Sequence, residues 1–64
     1  MFTVLIKKKS GRERLLYSDG DIEWEPTDFG GTLLADGVGH PIEDGDRAFI
    51  MNADGQTVQR YGRR

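Results

Sequence analysis

The chain has 64 residues and a mass of 7.2 kDa, with 31% charged and 36% hydrophobic residues, nine glycines, two prolines and no cysteine. That length allows one domain, 1–64, with residues 62–64 expected to fray. Without cysteine there are neither disulfides nor thiolate zinc sites, so a single small core has to hold the fold, with a net stability of about 3–5 kcal/mol. The longest apolar run, Val4-Leu5-Ile6, is far short of the roughly 20 residues of a membrane-spanning helix, and no cationic start followed by an apolar stretch marks a signal peptide. A cytoplasmic protein without membrane contact is therefore expected.

Glycine and proline punctuate the chain too often for long helices, and the pattern between them is that of strands. Phe2, Val4 and Ile6 alternate with Thr3, Leu5 and Lys7, the period-2 pattern of a half-buried strand that ends at Lys8 or Lys9. Ser10-Gly11 signals a turn, and a second strand over 13–18 follows, with Leu15 and Tyr17 on one face and Arg14 and Leu16 on the other. Asp19-Gly20 fits a type I′ hairpin turn, because both of its central residues need positive φ. A third strand then places Ile22 and Trp24 inward and Asp21, Glu23 and Glu25 outward, and Pro26 is expected to stop it.

The segment 27–46 is broken by Gly30-Gly31, Asp36-Gly37, Gly39 and Asp44-Gly45. A short strand over 32–35, a turn at Asp36-Gly37 and a return arm over 38–42 are expected there, with Pro41 restricting the arm to a sheet edge. Two further strands, 47–52 and 56–61, flank Asn52-Ala53-Asp54-Gly55, which suits a type I turn closed by a left-handed glycine.

The predicted class is thus all-β: five to seven short strands in a small antiparallel meander or an SH3-like or OB-like barrel. The predicted core is Phe2, Val4, Ile6, Leu15, Tyr17, Ile22, Trp24, Leu33, Ile42, Phe49, Met51 and Val58. Leu5, Leu16, Leu34 and Ile50 alternate the other way, which implies either a two-layer fold or an exposed apolar patch used for contact.

The net charge of −2 hides a strong segregation. From Asp19 to Asp46 there are nine acids and no lysine or arginine, whereas the flanks hold nine bases and two acids. Either the fold brings the basic ends against the acidic middle, or the acids form a one-signed patch that steers a partner over a Debye length of about 8 Å. The docking candidates are Asp19, Asp21, Glu23, Glu25, Asp28, Glu43, Asp44 and Asp46. On the third strand, Asp21, Glu23 and Glu25 recur every second residue, so their carboxylates project from one face about 6.6–6.8 Å apart. That interval approximates the spacing of neighbouring phosphates along an extended nucleic-acid strand, so the ladder suits a basic groove built for DNA or RNA.

Other chemistries are poorly served. One histidine, His40, and two serines give no nucleophile–base pair, and so short a chain can hardly build both a core and a substrate cleft, so no enzyme is expected. The acids around Asp19-Gly20-Asp21 and Asp44-Gly45-Asp46 lack the ligand spacing of an EF-hand, and no metal or cofactor is expected. Lys7, Lys8, Lys9, Arg12 and Arg14 around the first turn form an alternative nucleic-acid contact, opposed by a pI of 5.2 and by the absence of aromatics within the cluster.

Small size, acidity and lack of cysteine resemble those of phage-encoded inhibitors such as the anti-CRISPR proteins, a likeness of size and charge with no motif to carry residues across. The expected function is a non-enzymatic binding module whose acidic middle, 19–46, docks on a basic protein surface, as a nucleic-acid mimic of that kind would. The alternatives are a small nucleic-acid-binding barrel using the basic hairpin, and a subunit that self-associates through a strand edge.

Overall fold

The computed structural model describes residues 1–62 as seven strands, and no helix occurs among them. The strands are β1 (Phe2–Lys7), β2 (Glu13–Ser18), β3 (Ile22–Thr27), β4 (Gly30–Ala35), β5 (Val38–Glu43), β6 (Arg47–Met51) and β7 (Thr57–Tyr61). All neighbours pair antiparallel, in a four-stranded sheet of order β2-β1-β6-β7 and a three-stranded sheet of order β3-β4-β5. The all-β expectation is met, but no ladder among the described residues joins the two sheets, so they do not close into a hydrogen-bonded barrel.

Local sequence explains the hairpins. Across 8–12 the Gly11 N–H donates to the Lys8 carbonyl (2.9 Å) and the Lys8 N–H to the Arg12 carbonyl (2.7 Å), with Gly11 at φ 98°. The pattern repeats at 52–56, where the Gly55 N–H donates to the Asn52 carbonyl (3.0 Å) and Gly55 has φ 83°, as the expected left-handed glycine requires. The Asn52 side chain completes that turn by accepting from the N–H groups of Asp54 and Gln56, both at 3.0 Å. Asp36 and Gly37 both have positive φ (53° and 84°) and join β4 to β5 as a two-residue turn.

Asp19-Gly20 behaves differently from the expected hairpin. It carries the chain from the four-stranded sheet to the three-stranded one, and Asp19 does not have positive φ. Its end is tied down by Asp36, whose carboxylate accepts from Ser18 Oγ (3.0 Å) and the Asp19 N–H (3.2 Å), while the Asp36 N–H donates to the Asp21 carbonyl (2.8 Å). Replacing Asp36 with alanine should therefore cost about 1–2 kcal/mol, since it frees the hydroxyl of buried Ser18 as well as the Asp19 N–H. Asp36→Asn, which keeps an acceptor and tolerates positive φ, should cost clearly less in urea denaturation.

Pro26 does not stop β3, which runs on to Thr27. β3 is an edge strand, and a missing N–H on a free edge breaks no ladder bond. Pro41 lies on the other edge strand of this sheet, β5, as expected.

The inner faces of both sheets meet in one core of Val4, Ile6, Ala48 and Ile50 from one side and Leu33 and Ile42 from the other. Phe2, Leu16, Ile22, Trp24 and Tyr61 pack around it half-buried. Leu15, Tyr17 and Val58 do not belong to it: they are 54%, 64% and 50% exposed. Cross-strand register gives the reason. Val4 pairs with Leu16 and Ile50, and Leu5 pairs with Leu15 and Phe49, so β2 and β6 present the opposite faces from those predicted. Phe49 and Met51 accordingly point away from the core, and small Ala48 lies inside opposite Tyr61. The chain is two-layered and also leaves an apolar face uncovered.

At the C-terminal end Gly62 lies against the backbone of Asp46 and Arg47. The rest of the stretch expected to fray, 63–64, lies outside the described residues.

Candidate binding surfaces

Charge segregation along the sequence becomes segregation across the sandwich. All seven lysines and arginines among the described residues lie on the four-stranded sheet or in its 8–12 turn. The three-stranded sheet carries none; its charged side chains are Glu23, Glu25 and Glu43. Glu23 pairs with Leu34, Glu25 with Thr32 and Glu43 with Gly30, which puts all three on the outer face, with Asp21 just before β3. Asp28 occupies the β3–β4 turn and Asp44 the β5–β6 turn at one end of this sheet; Asp19 stands at the other.

Only two ion pairs occur among the described residues, Lys7 with Glu13 (3.6 Å) and Lys8 with Asp46 (2.6 Å). Exposed Asp19, Asp21, Glu23, Glu25, Glu43 and Asp44 meet no lysine or arginine. Among the described residues the basic flanks reach the acidic middle at Asp46, through Lys8, and leave these six exposed carboxylates without a cation.

Asp46 stands apart from the other acidic candidates. It is 3% exposed, and its carboxylate accepts from Lys8 Nζ (2.6 Å), the Lys9 N–H (2.8 Å) and the Glu43 N–H (3.1 Å). Burial alone would raise its pKa; the hydrogen bonds from Lys8, Lys9 and Glu43, with the Lys8 charge, outweigh that and hold it below the usual aspartate value. This carboxylate clasps the 8–12 turn to the β5–β6 turn and is not part of an exposed patch.

The basic hairpin likewise divides. Lys8 is spent on Asp46, Lys7 lies beside Glu13, and the Lys9 stem packs over Gly45. Arg12 and Arg14, which have no ion-pair partner among the described residues, line a hollow of about 440 Å³ with Ile6, Lys8, Glu13 and Pro41, where the edges of β2 and β5 face each other without pairing.

The sequence allows an exposed apolar patch through Leu5 but misidentifies its members; the patch is the outer face of the four-stranded sheet. One cross-strand row reads Leu15, Leu5, Phe49, Arg60; the next reads Tyr17, Thr3, Met51, Thr57; and Glu13, Lys7 and Arg47 close the end. Leu15 and Tyr17, both on β2, are more than half exposed, and Met1, Thr3, Tyr17 and Met51 line a shallow hollow of about 350 Å³ there. The signal is the second apolar alternation through Leu5, whose neighbours on β2 and β6 are Leu15 and Phe49 and not Leu16 and Ile50.

No three histidine, aspartate or glutamate side chains among the described residues are placed to hold a metal ion, and no helix among them is long and apolar enough to cross a membrane. No protein-family model matches the chain, and no curated protein or solved structure matches it.

Proposed function

We propose that this protein is a non-enzymatic binding module whose acidic outer face, built on the three-stranded sheet, docks on a basic surface of another protein. The observation that carries this reading is the uncompensated charge of that sheet: exposed carboxylates at Asp21, Glu23, Glu25 and Glu43 with no lysine or arginine on any of its strands. Repulsion among like charges on one sheet is retained here at a cost to stability, which a partner of opposite sign would relieve. The regular interval along β3, about 6.6–6.8 Å between alternate residues, suits a groove that otherwise holds a phosphate backbone, and hence a nucleic-acid mimic.

The test begins by capturing a partner from lysate on immobilised protein and then measuring its binding to purified wild-type and variant chains. Asp21→Asn/Glu23→Gln/Glu25→Gln should fold normally and bind with an on-rate lower by about tenfold at low salt, the gap closing as ionic strength rises. Single-stranded DNA should compete for the partner. Charge reversal at Lys7, Lys9 and Arg12 should leave binding unchanged; Lys8 is left out of that control because of its bond to Asp46. An acidic triple variant that binds like wild type at low salt would reject the proposal, and loss of binding in the cationic variant alone would favour nucleic-acid contact through the hairpin.

A further inference from the structure

The uncovered face of the four-stranded sheet has the make-up of a protein interface. Leu5, Phe49 and Met51 occupy its two central strands and Leu15 and Tyr17 its β2 edge, with Lys7 and Arg47 at one end and Arg60 on β7 against the single acid Glu13. Aromatics, methionine and arginine are the residues that interface centres favour, and an apolar sheet face on so small a chain is not ordinary surface. The leucines and methionine also weigh against a nucleic-acid strand, which would call for aromatics at successive stacking positions.

Its complement is present in the same molecule. The opposite face of the sandwich carries Glu23, Glu25 and Glu43 around half-buried Thr32 and Leu34, whose methyl groups lie over Gly39. We propose that the cationic apolar face of one copy packs on the acidic face of a second copy, in a head-to-tail contact. This rests on the acidic face being a docking surface, as argued above, and adds the identity of one occupant. A face-to-face pair of the two cationic surfaces would instead bring together two surfaces of the same net sign.

The contact is small. Extents of 30 and 23 Å limit the broad face to roughly 700 Å², below the roughly 800 Å² per partner of a standard interface. Association is therefore weak and salt-sensitive, and because the two faces differ it is open-ended, with each added copy presenting a fresh pair of faces.

Sedimentation velocity at low salt, over a concentration series reaching about 1 mM, tests this with two variants. Leu15→Glu/Tyr17→Glu spoils the cationic face at positions more than half exposed, so folding, checked by circular dichroism, should survive. Asp21→Asn/Glu23→Gln/Glu25→Gln weakens the acidic face. Wild type should form a ladder of oligomers that fades as salt is added, each variant alone should associate about tenfold less, and an equimolar mixture of the two should recover a 1:1 dimer that grows no further. A wild type that stays monomeric throughout overturns the proposal. So does a dimer abolished by the first variant and untouched by the second, which indicates a symmetric contact. Monomers that bind an oligothymidine, and lose it on Leu15→Glu/Tyr17→Glu, would assign the face to nucleic acid and overturn it as well. Partner capture that persists while self-association is absent leaves the acidic docking surface standing and rejects only the second copy as its occupant.

Discussion

Replacing Asp46 with alanine is expected to lower the unfolding free energy by about 3 kcal/mol, the low end of the cost of removing one member of a charge pair, since Asp46 is buried but Lys8 is only partly so. For a domain of this size that is most of the whole stability, so urea denaturation followed by circular dichroism should find the variant close to unfolding without denaturant at 25 °C. Lys8 keeps 30% of its side chain exposed and can turn its charge to water, whereas the N–H groups of Lys9 and Glu43 are left without their acceptor. Asparagine is a poor substitute, since one carboxylate oxygen becomes an NH₂ facing a donor. Because the folded carboxyl titrates below its unfolded value of about 3.9, its stabilisation is complete above that pH and disappears as pH falls through the folded value. Wild-type stability should accordingly decline as the solution is acidified below about pH 4, and Asp46→Asn, weaker at neutral pH, should decline less steeply. An identical acid slope in both proteins would assign the transition to a different carboxylate.

Trp24→Ala is expected to cost about 3 kcal/mol, the lower end for loss of a large aromatic side chain, because Trp24 is half-buried. The ring stacks on Tyr61 with centroids 4.9 Å apart and planes 19° from parallel, joining β3 to β7 where no hydrogen-bond ladder does. It also lies over Gly31, where the Cβ of any other residue would collide with the indole ring. Alanine at Trp24 leaves Tyr61 without its stacking partner and the space above Gly31 empty. Glu23→Ala, one residue away on the opposite face, should change stability by no more than about 0.5 kcal/mol and serves as the comparison. Near-wild-type melting of Trp24→Ala would mean that the aromatic pair does not hold the sheets together.

Strands and hairpin turns were readable because they are local properties. β2 was placed at its observed bounds, and Asp36-Gly37 and Asn52 to Gly55 carry their turn chemistry in adjacent residues. Facing was not readable where apolar residues run consecutively, as in Leu15-Leu16-Tyr17 and Ala48-Phe49-Ile50-Met51, since either alternation then satisfies the pattern. The answer lay in the turn: closing 8–12 as observed sets Val4 opposite Leu16 and so decides which side of β2 is buried. The pairing of β1 with β6 and the clasp of Asp46 on Lys8, 38 residues apart, leave no local trace, so Asp46 read as one more turn acid. Charge segregation survived the passage into three dimensions because both acid-rich and base-rich segments stayed on their own sheets.

Two open sheets leave four strand edges, each a row of backbone donors and acceptors on which an extended chain can pair, and each carries its own obstruction. β3 has Pro26 and β5 has Pro41, neither of which can donate to an incoming strand. β7 is bent by a bulge, where Ile50 opposes Gln59 and Met51 opposes Thr57 with Val58 left over. β2 brings Glu13 and Arg14, preceded by Arg12, to its border with β5. Growth by adding strands, the route to fibrils, is thus impeded on every side of the molecule, while its broad surfaces are left open to contact.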